Sequence, residues 1–404
     1  MSSRPAVRFL DRTTPPHIMT LVLLAGLGAL SMNIFLPSLP AMADHFQTDY
    51  RLIQLSVALY LGVNAVLQVF IGPISDRFGR RPVMLGSIGI FLLATVGTLL
   101  APTVEVFLAF RALQAVIVAG LVIGRAVVRD MVPQEEAASM IGYVTMGMAV
   151  VPMVGPMIGG ALEEVYSWQA SFVLLLVCGL LTLWLTWADQ GETAMNRSAS
   201  FAEQFRQYPE LLASPRFWGY CLTAFASGAF FAYLGGAPFV GSEVYRLSPA
   251  ALGFYFGAPA LGYAAGNFLS GRYSVRFGIN RMVLAGTVLT CAGLAVLLAV
   301  ELAGATHPAV FFGFMTFVGL GNGMVLPNAT AGMLSVRPRL AGSASGLGGA
   351  IMIGGGAALS ALAGALLTPG TGPYPLLYLM LGTSVASVVS ILYVIRRARA
   401  KGVA

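Results

Sequence analysis

The stretch Gly72-Pro73-Ile74-Ser75-Asp76-Arg77-Phe78-Gly79-Arg80-Arg81-Pro82 interrupts an apolar run, and its reading decides the fold. Apolar windows flank it at 52–72 and 82–101, each near the roughly 20 residues an α-helix needs to cross a bilayer. Glycines permit a tight turn and close helix approach, and the arginines suit a wet membrane face. A basic anchor alone does not call for Asp76, which can accept hydrogen bonds from a helix N-terminus or pair with arginine. The pattern returns as Gly271-Arg272-Tyr273-Ser274-Val275-Arg276-Phe277-Gly278, five of eight positions identical at an offset of 199 residues. The echo implies a duplicated membrane domain.

Composition agrees with that reading. Of 404 residues, 57% are hydrophobic and 10% charged, with a mean hydropathy of +0.81, whereas soluble domains carry about 25% charged residues. Twelve apolar windows are expected to cross the membrane: 17–40, 52–72, 82–101, 104–127, 137–161, 168–188, 216–239, 249–271, 281–301, 307–328, 340–367 and 374–395. The fold class is therefore all-α membrane protein, with twelve transmembrane helices in two six-helix repeats. Residues 1–189 and 216–404 form the expected bundles, and 190–215 is a solvated cytoplasmic linker. Parallel repeats of this kind bind a small molecule near the midplane and alternate its access.

Charge distribution sets the orientation. With the N-terminus cytoplasmic, inside segments hold 20 of the 23 basic residues, outside loops hold Arg51 and Arg246, and Arg111 lies within a span. The net charge of +7 is thus dispersed among short loops, which argues against a nucleic-acid surface. Cys178, Cys221 and Cys291 all lie in apolar runs, as buried inert thiols do. Arg4, Arg8 and Arg12 precede a hydrophobic stretch without a clear small-residue cleavage site, so a retained first helix is expected rather than a signal peptide.

The fifth window contains Val151-Pro152-Met153-Val154-Gly155-Pro156-Met157-Ile158-Gly159-Gly160. Prolines remove backbone hydrogen bonds and glycines admit a neighbour, so a bent, closely packed helix is expected. Together with Ile34-Phe35-Leu36-Pro37-Ser38-Leu39-Pro40, Arg111-Ala112-Leu113-Gln114, Arg125-Ala126-Val127-Val128-Arg129-Asp130 and the turn at Gly72, this segment carries a family likeness. The chain resembles the major facilitator superfamily, and within it the drug:proton antiporters of the Bcr/CflA type. The resemblance implies that Asp76 with Arg77, Arg80 and Arg81 latches the cytoplasmic side, that Arg111 takes part in proton coupling, and that Gly155, Pro156, Gly159 and Gly160 seal the halves against leakage. It also implies a bacterial-type inner membrane.

Two departures stand out. Ala115 follows Gln114 where such transporters carry glycine, and Asn33 stands where they carry an aspartate ahead of the aromatic. An amide cannot titrate. All sixteen acidic residues lie in termini, in loops or near window ends, leaving Arg111 as the clear charge inside a span. A wet cavity, nearby carbonyls or polar side chains are expected around it, with Asn33 and Asn64 as candidates from other spans and Gln114 three residues along its own helix; snorkelling to the surface is the alternative. Tyr60, Gln68, Phe231, Tyr233, Tyr255, Tyr263, Asn267 and Asn322 are further candidates for a cavity wall.

These features favour a secondary exporter of small amphipathic compounds, with protons as the coupling ion that the family implies. An uncoupled facilitator or metabolite transporter is the alternative, made more credible by Asn33. A membrane receptor or enzyme is the less favoured reading from another class; against an enzyme, His17, His45 and His307 have no metal-ligand spacing, no P-loop occurs, and Lys401 is the single lysine. No cofactor or metal is expected. The expected partners are a small-molecule substrate, protons and the lipid bilayer, with the chain acting as a monomer.

Overall fold

The computed structural model describes residues 7–132, 140, 144, 151, 154–194, 208–227, 229–304, 306–337, 340–368 and 370–400. Among these every regular element is helical: α1 Ile18–Asn33, α2 Leu39–His45, α3 Tyr50–Phe78, α4 Arg80–Leu99, α5 Val104–Gln114, α6 Ala119–Met131, α7 (154–165) and α8 Gln169–Asp189 in the first half. The second half holds a short α9 (208–212), then α10 Pro215–Ala226, α11 Ala229–Phe239, α12 Pro249–Tyr255, α13 Ala258–Phe277, α14 Ile279–Leu302, α15 Pro308–Val336, α16 Ala341–Leu366 and α17 Tyr374–Ala400. Ten stretches among the described residues are long and apolar enough to cross a membrane. Two expected windows are not among them. Much of 137–161 lies outside the described residues, Pro152 included, and 249–271 is divided at Phe256 and Gly257 between α12 and α13.

Local sequence explains such breaks. Pro37 opens a 3-10 turn after α1, while Pro249 and Pro259 sit in the first turns of α12 and α13, where a missing N–H costs nothing. Ser214 and Ser248 cap α10 and α12 by accepting hydrogen bonds from Phe217 N and Ala251 N at 3.4 Å. Arg111 lies in the last turn of α5, after which Ala115–Val118 tightens into a 3-10 turn before α6.

The echo in the sequence is also an echo in backbone geometry. Gly79 joins α3 to α4 at φ +101° and ψ 149°, and Gly278 joins α13 to α14 at φ +83° and ψ 151°. Both occupy the region that disfavours a side chain. Each N–H donates to the serine four residues earlier, Ser75 at 3.0 Å and Ser274 at 2.9 Å. The preceding arginine also lies over the adjacent ring in both copies, Arg77 on Phe78 at 5.6 Å and Arg276 on Phe277 at 5.5 Å.

The halves meet chiefly where α3 runs alongside α16, with small residues facing each other. A Cβ at Gly62 would lie 4.0 Å from Ala357 Cβ, and one at Gly354 would lie 3.5 Å from Ala65 Cβ. Hydrogen bonds between the halves gather at the end bearing Tyr50. There Tyr50 Oη donates to Gly235 O at 3.0 Å, Gln54 Nε2 donates to Ser360 O and Oγ at 2.7 and 2.9 Å, and Glu164 Oε2 accepts from Ser248 Oγ and Ala250 N at 3.1 and 3.2 Å. Backbone approach reinforces this closure: a Cβ on Gly160 would collide with the Pro249 carbonyl, and one on Gly253 with the Pro156 carbonyl.

The linker expectation needs correction at its start. Asp189 and Gln190 are fully buried rather than solvated. The Asp189 carboxylate accepts from Leu10 N at 2.7 Å, His17 N at 2.8 Å and Thr20 Oγ1 at 2.6 Å, and Gly191 N donates to Thr14 O at 3.0 Å. The first linker residues are thereby knitted to the N-terminal segment. Residues 195–207 lie outside the described part.

Candidate functional site: a central cavity between the halves

A cavity of about 310 Å³ lies between the halves, walled by α1, α3 and α6 on one side and by α10, α11, α13 and α15 on the other. Phe230, Phe231 and Phe256 supply apolar surface, while Asn33, Asn64, Gln68, Ser227 and Asn322 supply amides and a hydroxyl. Among its described lining residues there is no carboxylate, and Arg125 is the one charged side chain. Such a wall matches an amphipathic guest: mostly apolar contact, with a few polar groups to fix its orientation.

Asn33 ends α1 and is 1% exposed. Its Nδ2 donates to Ala29 O at 2.7 Å, whereas its buried Oδ1 has no hydrogen-bond partner among the described residues. An orphaned buried acceptor is costly unless a donor reaches it. Asn64 Oδ1 accepts from Gln68 Nε2 at 2.7 Å, one turn along α3. Across the cavity Ser227 Oγ donates to Asn322 Oδ1, joining α15 to the end of α10.

Of the surroundings expected for Arg111, a carbonyl and a polar side chain are present, the latter being Gln114, but the residue neither lines the cavity nor snorkels. It is 0% exposed, and the cavity wall does not include it. Its Nη2 donates to Ser31 O at 2.8 Å and its Nη1 to Gln114 Oε1 at 2.7 Å and Ser31 Oγ at 3.3 Å. The guanidinium lies over the rings of Phe35 and Tyr60, 4.1 and 4.5 Å from their centroids. Carbonyl dipoles and ring faces thus solvate the cation in place of water. The hydrogen bonds of Arg111 reach neither Asn33 nor Asn64, and Gln114 passes the network on to Thr95 Oγ1 at 2.8 Å.

Other expected wall residues divide. Tyr60, Gln68, Phe231, Tyr263 and Asn322 line the cavity. Tyr233, Tyr255 and Asn267 do not: Tyr233 is fully buried among Phe230, Phe256 and Phe312, Tyr255 stacks on Phe312, and Asn267 Nδ2 donates to Tyr263 O at 2.8 Å. Aromatic packing and helix back-bonding explain these positions without a ligand.

The turn at Gly79 is richer in acid than the local sequence implies. Asp76 pairs with Arg80 but is not the sole acid there, because Asp130 Oδ2 lies 3.2 Å from Arg80 Nε. Ser75 Oγ accepts from Arg80 Nη1 at 2.6 Å. Glu192, from the start of the linker, caps α4 by accepting from Arg80 N at 2.8 Å and Arg81 N at 3.3 Å. Gly79 matters for its backbone angle, but a Cβ at Gly72 would meet nothing within 4 Å, so the expected close approach does not apply there. In the second copy Val275 replaces the acid and is exposed.

In α7 the glycines are spent on contact. A Cβ on Gly159 would collide with the Ile34 carbonyl, and one on Gly155 would lie 3.3 Å from Leu30 Cδ1. Gly159 thus abuts the first helix of its own half, while Gly160 abuts the opposite half. Ser31, Gln54, Ser360, Asp130 and Glu192 were not singled out from sequence for these contacts. Their partners lie far away in the chain, and only the abundance of unpaired arginine around Gly79 hinted that acids must come from elsewhere.

Comparison with known proteins identifies the architecture. The model described as Major Facilitator Superfamily matches residues 21–347 and 238–404. The chain is 32% identical over 350 residues to an uncharacterized MFS-type transporter, YdgK, of Bacillus subtilis (strain 168), covering 85% of this chain and 87% of that protein. It is 29% identical over 378 residues to multidrug resistance protein D of Escherichia coli (strain K12), covering 90% and 92%. The crystal structure of a D-xylose-proton symporter superposes with a TM-score of 0.76 at 15% identity, covering 93% of this chain and 96% of that one. With its all-helical membrane architecture and a cavity shared by two halves, the chain belongs to the Major Facilitator Superfamily and is a multi-pass membrane transporter rather than an enzyme.

Proposed function

We propose that the chain is a secondary exporter of small amphipathic compounds, of the Bcr/CflA drug-antiporter type, working by alternating access in a bacterial-type inner membrane. The observation that carries this reading is a cavity lined by both halves and closed at the Tyr50 end by contacts between them. Positive charge in the opposite loops supports cytoplasmic termini, and with them an outer position for the closed Tyr50 end. Residues 1–189 and 216–404 act as the two rocking bodies, joined by 190–215, in a chain that works as a monomer.

Asn33 and Asn64 contact the substrate, with Asn33 Oδ1 accepting a hydrogen bond from a hydroxyl or N–H of the guest. Arg111 and Gln114 hold α1 against α5 beneath that site, and the Asp76–Arg80 pair belongs to the cytoplasmic latch. With no carboxylate among the described residues lining the cavity, proton coupling through it is weak or absent. That observation favours a second reading, an uncoupled facilitator of the same fold. Reconstituted protein loaded with an uncharged fluorescent amphipath, assayed with and without an imposed pH gradient, separates the two. Efflux that responds to the gradient supports the antiporter, gradient-insensitive efflux supports the facilitator, and no efflux beyond protein-free vesicles overturns both.

A further inference from the structure

A second cavity, about 420 Å³, lies well away from the first at the basic end of the second half. The start of α10, the end of α15, the far end of α17 and the α9 region enclose it, contributing Ser214, Arg216, Val336, Arg337 and Arg397, with Glu210 as its one acid among the described lining. Three guanidinium groups against one carboxylate leave a net charge of +2. The transport reading leaves this cavity without a use.

The arginines are only partly satisfied by protein. Arg337 Nε donates to Glu210 Oε1 at 3.0 Å, but both side chains are exposed, at 48% and 37%, so water weakens that pair. Arg397 Nε donates to Tyr393 Oη at 3.2 Å. Arg216 Nε is buried and has no hydrogen-bond partner among the described residues. Arg216 also sits in the first turn of the 12-residue α10, where the backbone N–H groups favour an anion.

The flank of the cavity is exposed and largely apolar. Trp218, one turn into α10, is 37% exposed and donates its indole N–H to Leu212 O at 2.8 Å, while Leu392 and Tyr393 on α17 are 47% and 43% exposed. α10 and α17 pack together here, since a Cβ on Gly219 would collide with Val394. Indole and phenol rings beside an apolar strip are the signature of a membrane–water interface. A basic cavity opening beside such a strip can hold a phosphate group while acyl chains lie along the helices.

We propose that the cavity formed by Arg216, Arg337 and Arg397 is a phosphate-group site for the headgroup of an anionic phospholipid. Guanidinium forks match phosphate oxygens in pairs, and bound lipid would clamp α10, α15 and α17, three helices of the half that must rock as one body. A free phosphate ion shares the headgroup's chemistry, so the test uses both probes. Purified full-length protein in detergent is titrated with dioleoylphosphatidylglycerol, dioleoylphosphatidylcholine or inorganic phosphate, and bound species are counted by native mass spectrometry.

Phosphatidylglycerol should bind at least about tenfold more tightly than phosphatidylcholine, and the double variant Arg216→Gln/Arg397→Gln should lose about tenfold or more of that affinity, as expected for losing charge-assisted hydrogen bonds to the phosphate. Arg216→Lys/Arg397→Lys should recover part of it, which separates lost charge from lost folding. Arg272→Gln/Arg276→Gln, at the other basic turn, should bind phosphatidylglycerol like the parent. Inorganic phosphate binding with the same variant pattern, in place of phosphatidylglycerol, assigns the site to a soluble anion and keeps its phosphate chemistry. Equal affinity for both lipids, or equal loss in the Arg272→Gln/Arg276→Gln control, overturns the proposal.

Discussion

The Arg111 guanidinium donates a 2.8 Å hydrogen bond to the main-chain carbonyl of Ser31, tying α5 to α1 two residues before Asn33 at the cavity wall. A charge-assisted bond to a backbone acceptor, flanked by two ring faces, fixes where Asn33 stands. Arg111→Lys keeps the charge but loses the planar fork that reaches Ser31 and Gln114 together. Loss of one such bond to a charged group costs on the order of 2 kcal/mol, so thermal unfolding in detergent should occur several degrees lower. Transport should fall with it, and an unchanged melting profile would show that the network is not structural.

The cavity chemistry predicts a gain of function. Asn33→Asp places a titratable group on a wall whose described residues carry no carboxylate, so pH-gradient-driven accumulation of substrate should appear or increase. Proteoliposome flux with an imposed gradient measures it. Strong proton-driven flux by the unmodified chain, unaffected by the substitution, would place coupling at another residue.

Gly159 and Gly160 are adjacent yet face different bodies, and alanine should separate their effects. Gly159→Ala forces a Cβ onto the Ile34 carbonyl within the first half and should lower thermal stability. Gly160→Ala forces one onto Pro249 of the second half and should prevent closure at the Tyr50 end. Cysteine labelling at that end should rise for Gly160→Ala and stay near parental for Gly159→Ala. The reverse pattern contradicts the assignment.

The network around Arg80 predicts that the linker's first residues serve the turn. Glu192→Gln removes the charge capping α4, worth roughly 0.3–1 kcal/mol at an exposed helix start, and should leave expression intact while shifting the conformational equilibrium. Asp76→Asn should shift it in the same direction and further, because Asp76 meets the Arg80 side chain itself. Labelling of the cavity from each side reads the shift, and no change in either variant would dissociate the turn from gating.

Closure at the Tyr50 end should also depend on pH. Partial burial pushes the Glu163 carboxyl above its ordinary range. A conformation that raises this pKa holds the proton more tightly than one that exposes the group to water, so the closed form gains at low pH and loses as pH rises through the raised value. Accessibility at that end should increase with pH, and Glu163→Gln should flatten the dependence. A dependence that survives Glu163→Gln would transfer it to another group.

Short-range information in the sequence carried most of the architecture. Apolar windows near membrane length and the recurrence of Gly79 as Gly278 need only local composition and one backbone angle. The interruptions are harder to read: Phe256 and Gly257 divide a window whose residues on both sides of the break are apolar or small, so hydropathy alone runs across it. The candidate site was legible by residue type but not by partner. Arg111 stood out as a charge in a span, yet its acceptor is the Ser31 carbonyl, and every residue carries a carbonyl. Tyr233 and Asn267 resembled wall residues because an aromatic or amide in a membrane helix looks the same whether it faces a cavity or a neighbouring helix.

The seam between α3 and α16 has a mechanical meaning. Gly62 faces Ala357 and Gly354 faces Ala65 along the middle of the seam, while toward its two ends Gln54 and Gln68 of α3 press against Gly364 and Gly349 of α16. Two helices meeting through small residues can roll or slip by an ångström without forcing rotamer changes, whereas interdigitated leucines would have to disengage one by one. Under the proposed alternating-access cycle the seam is the bearing, which keeps the two bodies in register while the polar contacts around Tyr50 and Gln54 break and reform at one end. Bulk added there, as in Gly62→Leu, is friction, and it should slow turnover even where the cavity is untouched.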